Sequence, residues 1–236
     1  MGNAFIDMGS TVILGSLGIE YDLVSSLCKL KTHHPFHHER YLKGDYIVMS
    51  GMTLSKWCMS HFEGTLMWAK KRGMKIVLLG VGQGRYTDEE KNAMETVLGR
   101  IKPHILVSRD RRTYENLGHL ATHSYDGIDS AAFLRDPGRL DTDNLIAATF
   151  DRRSEPAEIS KLGGDIVRPH HNLMKRGEYA RQKNAFFSDR PEDYLRIYRT
   201  AKTTYSDRVH ACLVAMVYGN KARLWLDRPK QILFDR

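Results

Sequence analysis

The stretch YIVMSGMTLSKWCMSHFEGTLMWAKKRGMKIVLLGVGQG, residues 46–84, decides the fold class. YIVMSG (46–51) is a short apolar run ending in glycine, the pattern of a buried strand that enters a turn. Trp57, Met59, Phe62, Leu66, Met67 and Trp68 then recur at helical spacing, and Gly73 marks the stop. KIVLLGVGQG (75–84) is a second apolar run ending in glycines. Strand, helix and strand at this spacing predict a parallel α/β sheet.

Outward from that unit the alternation continues. Thr87 and Glu90 form a capping box that opens a helix, HILVSRD (104–110) reads as a strand, and TYENLGHLA as a short helix. RDPGRLDTD gathers Pro, Gly and Asp, so a domain boundary is expected near residue 141, giving halves of 1–141 and 142–236. In the second half NLIAATF and GGDIVRPHH supply strands. DRPEDYLRIYRTAK is a helix with Pro191 near its start, TYSDRVHACLVAMVYGN (204–220) is read as an apolar helix with polar caps, and ARLWLD is a last strand. That half is short for a full doubly wound domain.

The bulk numbers bound the function. With 236 residues, 42% of them hydrophobic, the chain can build one large core or two small ones. No apolar run approaches the roughly 20 residues that cross a bilayer, and the N-terminus lacks a secretory pattern, so a cytoplasmic location is expected. Cys28, Cys58 and Cys212 are odd in number and widely spaced, which argues for reduced, buried thiols rather than a disulfide framework. A formal charge of +8 favours anionic partners: phosphorylated metabolites, nucleic acid, or an anionic membrane touched peripherally. The basic residues are scattered and form no nucleic-acid signature, so nucleic acid is not expected.

Ligands of parallel sheets bind beyond the carboxyl ends of the strands. The GVGQG turn there could cradle a phosphate or be a plain tight turn. SRDRRTY brings Arg109 to the same edge, either to grip an anion with Asp110 orienting it, or as a surface ion pair. RPHHN offers Arg168, His170 and His171 after a strand. His33, His34, His37 and His38 flank Pro35, which argues against a helical metal site and for a solvated loop; no metal is expected. At the head of 204–220, Ser206 and Asp207 would cap a helix beginning at Arg208. Its free amides would then lie beside Arg208 and His210, where an anion is favoured and a proton can be exchanged.

Four segments together resemble the polysaccharide pyruvyl transferases: GNAFIDMG, which is similar to that family's N-terminal glycine-asparagine loop, YIVMSGMTLS, ILVSRDRRTYENL, and YSDRVHACLVAMVYGN with its Ser-x-Arg-x-His pattern. The resemblance implies a GT-B-like α/β architecture, two Rossmann-like parallel-sheet halves facing a cleft, with the second half short. It implies transfer of a pyruvyl group from phosphoenolpyruvate to a glycan or glycolipid hydroxyl as a ketal, with no further cofactor. Carried over by position, His210 would be the general acid, and Arg109 and Arg208 would bind the donor's phosphate and carboxylate, with Ser206, Asn3 and Arg168 as further binding residues. The alternatives are a GT-B-type glycosyltransferase using a nucleotide sugar, and a non-catalytic relative that binds anions or glycans.

Overall fold

The computed structural model describes residues 1–24, 43–172, 176–225 and 233–234. The histidine-rich 33–38 segment and Cys28 lie outside them. The chain divides into two compact units, Ile13–Asp129 and Met1–Val12 with Ser130–Arg236. The boundary therefore falls before residue 130 rather than at 141. Ala131 and Leu134 bury in the same core as Ala211 and Val214, which ties the segment after 130 to the second unit.

The 13–129 unit carries a parallel sheet of β1 (Tyr46–Ser50), β2 (Thr53–Leu54), β3 (Lys75–Gln83), β4 (Ile105–Ser108) and β5 (His123–Asp126). Its strands lie in the order β1-β3-β4-β5, with β2 paired to the end of β3. Helices α2 (Lys56–Lys71), α3 (Asp88–Ile101) and α4 (Arg111–Leu117) connect them. Met59, Leu66, Met94, Leu98 and Leu117 bury against Ile76, Leu78 and Leu106 of the sheet, each stabilising by about 1.5–3 kcal/mol on transfer from water. The expected strands and helices of 46–117 are all present, and β5 is an addition. Its HSYD sequence is polar and mostly exposed, so apolar patterning does not announce it.

The 130–236 unit carries β6 (Leu145–Thr149), β7 (Asp165–Pro169), β8 (Ala185–Phe186), β9 (Thr203–Ser206) and β10 (Lys221–Leu224), all parallel, in the order β10-β9-β6-β7-β8. Read from the other edge this is third, second, first, fourth, fifth, the Rossmann order, and the topological switch lies between β6 and β9. α5 (Arg176–Tyr179) precedes β8, and α6 (Pro191–Thr200) and α7 (Val209–Val217) flank β9. Tyr194, Tyr198, Ala211 and Val214 build the core with Phe5 and Ile6 of α1 (Gly2–Ser16).

Two sequence expectations change here. GNAFIDMG is not a glycine-asparagine loop but the start of α1, with Asn3 exposed, because Phe5, Ile6, Gly9 and Ser10 form one buried helical face. Gly9 is required by close approach: a Cβ there would stand 1.9 Å from the Ser130 carbonyl oxygen. The 204–220 segment is not one helix either. Thr203–Ser206 pair with β6 and β10, and the helix starts only at Val209. Among the described residues no helix is long and apolar enough to cross a membrane.

Candidate active site at the switch between β6 and β9

The carboxyl ends of β6 and β9 are tied together by side chains that the chain places immediately after each strand. Ser206 is fully buried; its hydroxyl donates to Thr149 O (2.8 Å) and accepts from the Arg208 N–H (2.9 Å). The Asp207 carboxylate accepts from three consecutive amides of the facing loop, Asp151 (3.1 Å), Arg152 (2.7 Å) and Arg153 (2.9 Å). Neither residue caps α7 as expected. Both fasten β9 to the end of β6, so Ser206 acts as a brace with both its hydrogen bonds made inside the protein. Arg208 occupies the N-cap position of α7, and the amide of Val209, in its first turn, has no intrahelical partner.

Arg208 Nε lies 3.2 Å from Asp151 Oδ2, with the arginine side chain 21% exposed and the aspartate 1%. Asp151 Oδ1 accepts from His170 Nδ1 at 3.0 Å and Oδ2 from the His171 N–H at 3.0 Å. His170 is held by its faces: its ring stacks on Tyr179 at 4.1 Å and 7°, and on Phe187 at 5.4 Å. His171 Nε2 lies 2.6 Å from the Tyr198 hydroxyl, which in turn meets Thr149 Oγ1 at 3.0 Å. Burial first, and then nearby cationic groups including Arg208 and His210, hold the His171 ring well below the ordinary histidine range. His210 is half-buried in the first turn of α7, close to the start of α1: a Cβ on Gly2 would stand 3.2 Å from its Nδ1. The edge is thus rich in positive charge around one buried carboxylate, a setting that attracts an anion.

Arg168 does not join this edge as a free cation. Glu155 grips it bidentately, Nε to Oε2 and Nη2 to Oε1 both at 2.7 Å, and Nη1 donates to Lys183 O. Its role is to hold the 155 loop and the segment before β8, because a guanidinium so paired has spent its fork. Cys212 is buried in α7, and burial pushes its thiol up to about 12, so it is no nucleophile at neutral pH. Among the described residues no group of three or more His, Cys, Asp or Glu is placed to hold a metal.

The 13–129 unit treats its own carboxyl edge differently. GVGQG is not a terminal glycine turn, since β3 runs through Gly80 and Gly82 to Gln83. The amides of Gly84, Arg85 and Tyr86 do converge as an anion cradle, but Glu90 Oε2 fills it at 3.1, 2.9 and 3.0 Å. Asp110 caps α4 through the Thr113 N–H (2.7 Å) and accepts from the Tyr86 hydroxyl (2.9 Å). Arg109 is nearly sealed, its side chain 4% exposed and Nη1 3.5 Å from Asp129. Gly82 permits this: a Cβ there would stand 2.5 Å from Arg109 Nε. Arg109 and Arg208 thus belong to separate units, and of the two Arg109 is sealed while Arg208, with His210 beside it, is partly open to solvent.

Sequence reasoning misses Asp151 and gives Asp207 the wrong role, a helix cap instead of the acceptor of the 151–153 amides. The signal was available, because each follows a strand at the carboxyl edge where Arg109 was sought.

No family model matches the chain, and no curated protein matches it by sequence. Its fold does match solved structures. A Listeria monocytogenes protein assigned as a UDP-N-acetylglucosamine 2-epimerase shares 15% identity over 78% of this chain and 57% of its own length, with a TM-score of 0.53. S. aureus MnaA, solved with UDP, shares 12% identity over 91% of this chain and 68% of its own, also with a TM-score of 0.53. The fold is GT-B-like, α/β with two Rossmann-like parallel-sheet units. At these identities the likeness speaks for architecture alone, and the chain spans little more than half the length of the Listeria protein. Neither structure is a pyruvyl transferase.

Proposed function

We propose that this chain is an enzyme of glycan metabolism whose 130–236 unit holds a phosphate-bearing donor at the β6/β9 switch. The observation that carries the reading is Arg208, partly exposed at the N-terminus of α7 and ion-paired to the buried Asp151, with His210 in the same first turn. Arg208 and the amide of Val209, which has no acceptor within its own helix, would neutralise charge that grows on the donor's phosphate, and His210 would exchange a proton with the bound substrate.

The donor class favoured is a nucleotide sugar. Support comes from the fold shared with a UDP-bound protein across 91% of the chain and from the Rossmann switch point, where such ligands dock. Phosphoenolpyruvate is the second reading, favoured by one specific observation. Ser206 fixes the amide of Arg208, so the Ser-x-Arg-x-His spacing sets an arginine and a histidine side by side at the same helix start. There His210 would protonate C3 of the enol and one glycan hydroxyl would bond to C2. A second hydroxyl of the same glycan would then bond to C2 as the C2–phosphate oxygen bond breaks, giving the ketal, with one hydroxyl proton restoring His210 and the other leaving with phosphate.

Calorimetric titration with UDP, UDP-N-acetylglucosamine and phosphoenolpyruvate separates these readings. Saturable binding of the uridine compounds, strongly weakened in Arg208→Ala, supports the first. Binding of phosphoenolpyruvate alone, with phosphate released on adding a glycan acceptor, replaces it with the second. Binding of none by the folded chain overturns both.

A further inference from the structure

Asp151 makes contacts that stability alone does not require. Its side chain is 1% exposed, yet it faces an imidazole, a backbone amide and a guanidinium at once. A carboxylate withdrawn from water to this degree gains little over a well-packed apolar residue unless its partners need it. His170 bonds to Oδ1 and cannot turn away, because Tyr179 and Phe187 cover its faces and Nε2 lies 2.7 Å from Gln182 Oε1. Gln182 is itself held, its amide donating to Glu155 Oε2 at 3.3 Å. The backbone of Asp151 is fixed in turn by Asp207. The carboxylate is therefore set from two sides before it meets Arg208, whose terminal nitrogens make no hydrogen bond among the described residues.

We propose that Asp151 is the positioning residue of the Arg208 site: it holds the Nε side of the guanidinium and leaves the terminal nitrogens to meet the ligand's oxyanion, while His170 locks the other carboxylate oxygen. This rests on the reading that Arg208 holds the donor. Positioning of this kind works by sparing the ligand the ordering of a long flexible side chain.

A double-mutant cycle tests it on the full chain, with UDP and phosphoenolpyruvate as probes and a melting curve to confirm folding. Arg208→Ala is expected to weaken the bound probe about 100-fold, and Asp151→Asn about tenfold, the scale of losing a supporting contact. Because Asp151 acts through Arg208, adding Asp151→Asn to Arg208→Ala should change affinity less than about twofold. A second tenfold loss in the double variant overturns the positioning role and leaves the Arg208 reading standing. Wild-type affinity in Arg208→Ala, or no binding by wild type, overturns the reading underneath instead. Should Asp151→Asn fail to fold, His170→Asn is read in the same cycle. A loss of about threefold that vanishes without Arg208 supports the proposal, and one that persists contradicts it.

Discussion

Both units end their parallel strands in cationic groups and open amides, yet they dispose of them in opposite ways. In the 13–129 unit the chain supplies its own anions: Glu90 fills the 84–86 amide cradle, and Asp129 pairs with the sealed Arg109. In the 130–236 unit Asp207 likewise fills the 151–153 amides, but the first turn of α7 is left with Arg208 and His210 partly open. A positive strand edge is thus not a binding site by itself. What differs is how fully the cation is enclosed: Arg109 and Asp129 are both sealed, whereas Asp151 meets Arg208 on its Nε side and leaves the arginine partly exposed. The sheet order is consistent with the difference, since only the 130–236 unit shows a switch point among the described residues.

The contrast can be broken by substitution. Arg109→Ala should lower unfolding stability by about 3 kcal/mol, because it removes a sealed guanidinium from a wholly buried ion pair, whereas Arg208→Ala should cost about 1 kcal/mol, since that arginine is partly exposed and Asp151 keeps its bonds to His170 and the His171 amide. Urea unfolding of both variants checks this, and a reversed order would undo the comparison. Glu90→Ala comes next, at about 2 kcal/mol for amides left without their acceptor. Added phosphate should recover part of that loss if the cradle is an anion site filled from within.

The smallest effect is one of pH. The folded His171 ring is held well below its unfolded pKa, so between the two values the unfolded chain binds more protons, and stability rises with pH. Stability should therefore fall as pH drops below about 6.5, by at most about 1.4 kcal/mol per unit from this group. A denaturation series from pH 7.5 to 5.5 should show that slope, and His171→Asn should flatten it.

Much of this architecture is legible in the sequence because apolar periodicity reports burial. The strands at 46–50, 75–83 and 145–149, and the helices at 56–71, 88–101 and 191–200, are buried on one face or both and read accordingly. What escapes is set by contacts rather than periodicity. GNAF looks like a loop until its Phe5 is seen packed on Tyr198 and His171. TTYS merges with the helix behind it until strand pairing separates them. The site was half legible: Arg208 and His210 stand out as polar residues heading an apolar run, while Asp151, Asp207 and the sequestered states of Arg168 and Ser206 depend on partners far away in the chain.

The most direct measurement is a titration of the full chain with UDP and phosphoenolpyruvate, comparing wild type with folded Arg208→Ala and Arg109→Ala. The account predicts saturable binding of one probe that Arg208→Ala weakens about 100-fold and Arg109→Ala retains. Binding that survives Arg208→Ala and disappears with Arg109→Ala would contradict it, and would move the site to the edge that the chain was found to fill with its own carboxylates.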